Sequence, residues 1–211
     1  MADILYKWLK ADGTSHYQDY QWPLPKNGTP GKWVRATGKL VLCGNEDDPG
    51  EGIHACSATQ VAHHISDTLW EMESRGKLIM GEDKLCVSAG RLLRRLDGIN
   101  EQTLRLFAAD CAERVLPLFE KQSLSDKRPR NAILASRQFA FGVIDAAARA
   151  AAFDAAWAAA EAAAGAAARD VARAAAWAAA REWQSARLLE YAYGRVDLDA
   201  IKESVTARVG G

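Results

Sequence analysis

The run Gly52-Ile53-His54-Ala55-Cys56-Ser57 is the segment of this chain whose residue types best suit chemistry. Histidine titrates near neutral pH, so His54 can carry a proton or ligate a metal. Gly52 allows close backbone approach to a ligand. Ser57 is of the helix N-cap type, and the pattern after it predicts a helix through about Ile65. Such a helix start presents unpaired N–H groups and the positive end of the helix dipole, which suits a phosphate or another anion. Farther along, Glu71 or Glu73 can add a carboxylate. His54, Ser57 and Glu71 are therefore the candidate ligand-binding residues. The plainer reading is a structural strand holding a partly buried, hydrogen-bonded histidine.

Other sites are weaker. Zinc takes four N or S ligands, usually in close pairs such as Cys-x2–4-Cys. Cys43, His54, Cys56, His63 and His64 offer no such pair, so neither a metal nor a cofactor is expected. His63 and His64 read as an exposed pair near a helix end. Arg169, Arg173, Trp177 and Arg181 recur every four residues, one stripe of a helix. Arginine beside tryptophan is a hot-spot composition and permits cation–π contact. These four are the candidate partner-binding residues; the alternative is a solvated stripe whose arginine stems cover Trp177. Arg91, Arg94 and Arg95 can join Lys127, Arg128 and Arg130 in a basic patch if the two halves fold together. The chain has no Gly-x-Ser-x-Gly elbow, Walker loop, dinucleotide fingerprint or paired-carboxylate pattern. No catalytic residue is assigned, and the chain is not expected to be an enzyme.

The elements that must hold these residues change character near residue 98. Before it, aromatic and β-branched residues mix with turn signals. Strands are predicted at Ile4–Leu9, at Trp33–Ala36 and Lys39–Cys43 as a hairpin about Thr37-Gly38, and at Ile53–Cys56. Further strands are predicted at Thr68–Ser74, Leu78–Met80, Lys84–Ser88 and Leu92–Leu96. After residue 98 helix formers dominate. Asn100 opens a helix through Val115 or Leu118, with Leu104, Phe107, Ala108, Cys111, Val115 and Leu118 as its core stripe. Pro129 starts the next helix, which runs to Gly142. From 146 to 180, 24 of 35 residues are alanine, the best helix former. Gly165 suggests a hairpin there; the alternative is one helix of about 45 residues, roughly 65–70 Å long. Arg187 to Tyr193 is expected to close the bundle at Gly194, with a short last helix after it. The fold class is α+β: residues 1–97 form a small β-rich α+β domain, and 98–211 an alanine-rich helical domain.

Composition narrows the partners. With 27 basic and 27 acidic residues the formal charge is zero, so no global field draws in nucleic acid. Methyl-coated helices bury little area per contact and suit helix-on-helix packing, within the molecule or with a partner. They make poor pocket walls. Four cysteines in 211 residues are not a disulfide scaffold and read as reduced thiols. The N-terminus lacks an apolar leader core, and charges interrupt every apolar run before it spans a membrane. A cytoplasmic location in a bacterial cell is expected.

The run Leu106-Phe107-Ala108-Ala109-Asp110-Cys111-Ala112-Glu113-Arg114-Val115-Leu116 continues through Phe119-Glu120 to Arg128-Pro129-Arg130-Asn131-Ala132-Ile133 and the alanine tract. It resembles the Imm-5-like helical domain of immunity proteins encoded by bacteria and their phages. The first part is similar to a domain of unknown function found in front of it in phage proteins, on Tyr20-Gln21-Trp22-Pro23-Leu24-Pro25, Gly31-Lys32-Trp33, Leu40–Cys43, Gly52–Cys56 and Asp83-Lys84. The acidic insert Asn45–Glu51 lengthens one of its loops. The order of strand, Gly-x-His, helix and strand also resembles ADP-ribosyltransferase folds, in which a later glutamate completes the site.

The resemblance implies an all-α second domain and a role in molecular conflict. The leading expectation is a non-catalytic protein that binds and neutralises a toxin or a bacterial defence component, through loops 12–31 and 44–52 or the arginine stripe. A nucleotide-ligand or ADP-ribosyltransferase-like first domain is the alternative, and a virion assembly role is a third. A homodimer through the alanine-rich helices fits the same surface; membrane and nucleic-acid partners are not expected.

Overall fold

The computed structural model describes residues 4–42, 51–121, 125–152 and 171–208, with only the backbone course given for 171–178. The described chain forms two compact units, one of residues 1–100 with 176–194 and one of 101–175 with 195–211. The fold class is α+β, with an antiparallel sheet in the first half and helices in the second.

Strand alternation builds the first unit. β1 (Leu5–Leu9) turns Leu5 and Leu9 into an apolar core with Trp22, Ile53, Met72, Leu85 and Leu92. It pairs antiparallel with β4 (Thr68–Met80), which pairs with β5 (Leu85–Arg95). On its other side β5 takes two short strands, β2 (Val34–Arg35) and β3 (Ile53–Ala55). Tyr6 and Cys56 exchange backbone hydrogen bonds of 2.8 Å, so the sheet curls until β1 meets the end of β3. Register shifts at Glu71/Met72 and Arg75/Leu78 supply that curvature.

Four predicted strands are thus two long ones. Arg75-Gly76-Lys77 breaks the alternation, but a bulge carries β4 through it. Ser88 Oγ donates to the Arg75 carbonyl at 3.1 Å and accepts from the Lys77 amide at 2.9 Å. The predicted hairpin about Thr37-Gly38 does not form. Val34 pairs with Gly90 and Arg35 with Ala89, while Val41 bridges Glu51. Pairing to a long central strand outcompetes a two-stranded ribbon, which is marginal in water.

The stretch from Arg187 to Tyr193, expected to close the helical bundle, belongs instead to the end of helix α4 (Val171–Ala192), whose residues from 176 onward pack with the sheet. Ser185, Leu188, Tyr191 and Ala192 are all buried there. Gly98 makes this approach close: a Cβ on it would lie 2.1 Å from the Tyr191 carbonyl oxygen and 2.7 Å from that of Ala192.

The second unit pairs α1 (Glu101–Glu120) with α2 (Arg128–Ala140), and α5 (Leu198–Thr206) packs on α2. Helix α3 is described over 146–152. Pro129 stands in the first turn of α2. Backbone bonds from Phe141, Gly142 and Val143 to Arg137, Phe139 and Gln138 close it. The face of α1 is rotated from the predicted stripe. Thr103, Leu106, Phe107, Ala109, Asp110 and Leu116 are buried, whereas Val115 and Leu118 are exposed. The cause is polar: Arg137 Nη2 donates to Asp110 Oδ1 and Glu113 Oε2, both at 2.7 Å, which turns Asp110 inward. Beside it Ala109, Leu116 and Ile133 form an apolar cluster among the described residues. Residues 153–170, including Gly165 and any break there, lie outside the described residues.

Candidate functional site

The first unit holds a cleft of about 640 Å³. β1 contributes Lys7, β2 Arg35, β3 His54, and the 15–22 loop brings Tyr17, Tyr20 and Trp22. Loop 13–22 is held by its own bonds. Ser15 N donates to Tyr20 O at 2.9 Å, Tyr20 N to Ser15 Oγ at 3.0 Å, and Lys10 Nζ meets Asp19 Oδ1 at 2.5 Å. Gly52 has φ +111°, and a Cβ there would strike Cys86 Sγ at 2.4 Å. That position therefore needs glycine for both conformation and space.

Lys7 is the unusual residue. It sits between Leu5 and Leu9 on the core-facing side of β1, with Nζ 5.4 Å from the centre of the Trp22 ring and donating to the His54 carbonyl at 2.6 Å. Burial lowers its ammonium to about 8. His54 also titrates below its ordinary value, because of its own burial and then the nearby Lys7 charge. Its Nε2 lies 3.3 Å from the Val41 carbonyl, so a neutral ring protonated there donates the bond. Cys56 is not a nucleophile at neutral pH: burial pushes its thiol up to about 12.

His54 lines the cleft, but Ser57 and Glu71 do not. The helix expected after Ser57 is one 3-10 turn, Val61–His63. The groups that would have formed an anion site are engaged. Ser57 N donates to Gln60 Oε1 at 3.0 Å and Ala62 N to Ser185 Oγ at 3.2 Å. Ser185 Oγ itself donates to Thr59 O at 2.8 Å. His63 and His64 are half-buried rather than exposed, and His64 Nε2 lies 3.0 Å from Asp83 Oδ2.

Glu71 is buried in a different place. Arg94 Nε and Nη2 each donate to its carboxylate at 2.7 Å, and Tyr193 OH donates to Oε1 at 2.8 Å. Tyr6 OH lies 3.0 Å from Tyr193 OH. The Arg94 hydrogen bonds hold the Glu71 carboxyl below the usual range, with Tyr193 adding to them against the cost of burial. Glu73 is taken up by Arg91 at 2.6 Å. Neither glutamate completes a site with His54.

Residues 94–193 match a family described as Imm-5 like putative immunity protein. Over that stretch the chain is similar to Imm-5-like domains. No curated protein and no solved structure matches the chain. The Imm-5-like stretch opens at Arg94 and closes at Tyr193, and both residues grip Glu71. Its two ends are thus clasped by one carboxylate of β4.

Glu71→Gln is expected to cost about 1–2 kcal/mol at neutral pH, discounted because Arg94 is largely solvated. The folded carboxyl titrates low, so its contribution is present above the unfolded value and lost as pH falls through the folded value. Thermal melts of parent and variant from pH 7 down to pH 3 should therefore converge. A gap that stays constant would mean that the charge of Glu71 contributes nothing.

The partner-binding stripe is described only at its end. Arg169 lies outside the described residues, and of Arg173 and Trp177 only the backbone course is described. Arg181 is half-buried and its Nη1 donates to the Ala62 carbonyl at 3.4 Å. The anticipated basic patch is neutralised within each unit. Arg91 and Arg94 face Glu73 and Glu71, while Arg128 and Arg130 face Asp126 and Glu120. Among the described residues no metal-ligating group of three or more is gathered, and no helix is long and apolar enough to cross a membrane. Among the described residues Cys56, Cys86 and Cys111 form no disulfide; Cys43 lies outside them.

The sequence reading missed Lys7, Arg35, Tyr17 and Tyr20 as cleft residues. One signal was available: in Leu5-Tyr6-Lys7-Trp8-Leu9 a lysine occupies an inward position between two leucines.

Proposed function

We propose that this protein acts by stoichiometric binding, as an immunity-type inhibitor that neutralises a toxin or a bacterial defence component in conflict between phage and bacterium. The observation that carries this reading is the Imm-5-like match over residues 94–193. It works in the cytoplasm of a bacterial cell and catalyses nothing. Two surfaces support protein docking. On the distal part of β4, beyond its pairing with β1 at Met72, Leu78, Ile79 and Met80 are exposed. On α1, Val115 and Leu118 are exposed at 55% and 64%. Clustered exposed apolar side chains beside unpaired strand edge mark interaction sites. Of the two expected recognition loops, 12–31 is described, and of 44–52 residues 44–50 lie outside the described residues.

The test is retention of a partner by tagged full-length protein from lysates of several bacterial hosts, then titration of that partner in pure form. A single retained protein at near-equal stoichiometry is expected, with Leu78→Asp or Leu118→Asp weakening it by about tenfold or more. Light scattering of the free protein reports any homodimer through the alanine-rich helices. If no host yields a stoichiometric partner, the inhibitor reading fails.

A further inference from the structure

Charge cancels over the whole chain, 27 basic against 27 acidic residues, but not among the described residues of the cleft. Of these, its lining carries Lys7, Arg35 and Lys84 and one carboxylate, Glu51. Lys84 stands 4.0 Å from Asp83, whereas Lys7 and Arg35 make no ion pair among the described residues. This contrasts with the arginines of β5, where Arg91 and Arg94 each hold a glutamate. A lysine turned inward between two leucines is costly to fold unless an opposite charge compensates it. The depressed ammonium of Lys7 reports that cost.

The same lining offers aromatic faces. Tyr17 is 67% exposed and Tyr20 45%, and Trp22 backs Tyr20 edge-to-face at 5.9 Å. Cations beside accessible rings are what a nucleotide requires: ammonium and guanidinium groups bind phosphate oxygens, and every base has a π-face to stack. The volume of about 640 Å³ is that of a small-molecule site.

We propose that this cleft binds a nucleotide, its phosphate held by Lys7, Arg35 and Lys84 and its base stacked on the Tyr17–Tyr20 loop. The proposal is independent of the inhibitor reading, since the cleft lies wholly in residues preceding the Imm-5-like match.

Calorimetric titration of the full-length protein with AMP, ADP, GMP and UMP tests it, at about 50 mM salt, where phosphate contacts are strong. Adenosine and inorganic phosphate are titrated alongside. At least one nucleotide is expected to bind with a roughly micromolar Kd, and adenosine and phosphate each about tenfold or more weaker. Lys7→Met, Arg35→Ala and Tyr20→Ala should each weaken the nucleotide by about tenfold, while Lys202→Met on α5 should not. Arg35 and Tyr20 are exposed, so their variants keep the test sound if the Lys7 variant misfolds. The proposal is overturned if no nucleotide saturates at millimolar concentration, if phosphate alone binds as well, or if the cleft variants bind like the parent. A short single-stranded oligonucleotide that binds more tightly than every mononucleotide would also overturn it, in favour of a nucleic-acid groove.

Discussion

Leu188→Ala is expected to lower the unfolding free energy by about 3–5 kcal/mol, as large-to-small changes at fully enclosed sites do. Leu188 has no exposed surface and lies in the part of α4 that packs with residues 1–100. Its neighbours along the helix are pinned. Ser185 bonds Thr59 and Ala62, Tyr193 bonds Glu71, and Gly98 abuts the last carbonyls. The surroundings therefore cannot collapse into the space a leucine leaves, and the cavity term is retained in full. Urea unfolding gives the magnitude. Hydrogen exchange locates it: amides paired between β4 and β5, such as Met72 with Leu92, should lose protection together with the helix. A loss below about 1 kcal/mol, or one confined to helical amides, would mean that α4 is not part of the cooperative unit of the sheet.

Arg137→Met is expected to cost about 3 kcal/mol in the helical unit, the lower end for breaking a buried ion pair. Asp110 is only 7% exposed at its side chain, and methionine removes the guanidinium that faces it. The lower end applies because Arg137 already carries a defect: its Nε is buried with no acceptor among the described residues. The loss weighs on the contact of α1 with α2, where Ala109, Leu116 and Ile133 form an apolar cluster among the described residues. Arg137 hydrogen bonding also holds the Glu113 carboxyl below its usual value, against the opposing effect of burial. A depressed carboxyl contributes above its unfolded value and stops contributing as pH falls through its folded value. The difference between parent and variant, read from thermal melts, should therefore narrow on acidification from neutral pH. Adding Asp110→Leu to Arg137→Met should recover most of the loss, because no charge is then buried alone. Equal stability of the single variant at neutral pH would mean that the pair does not hold these helices together.

Much of the first unit was legible because its signals are local. The alternation of Leu5–Leu9 and the β-branched start of Ile53–Ala55 predict strands at those places, and both form. Pro129 and the glycines at 142 and 194 mark helix ends correctly, since capping depends on a few neighbouring residues. The Ser57 helix failed for the opposite reason. An N-cap residue type offers a helix start but cannot ensure one, and here Gln60 and a serine from 128 positions downstream satisfied the amides first.

The site divides along the same line. His54 was legible by type and does line the cleft, but Glu71 was drawn to Arg94 and Tyr193 instead. Sequence alone determined the α+β class, the resemblance of the second half to Imm-5-like domains, and the zero net charge that leaves no global field. Tertiary structure alone decided which face of α1 turns inward, that α4 from residue 176 onward belongs with the sheet, and that Lys7, Arg35 and Lys84 gather beside tyrosines in one cleft. Propensity, capping and patterning act over a few residues and are written in the order of the chain. Burial and charge pairing join residues far apart in sequence, and their outcome is fixed only when competing partners meet in space.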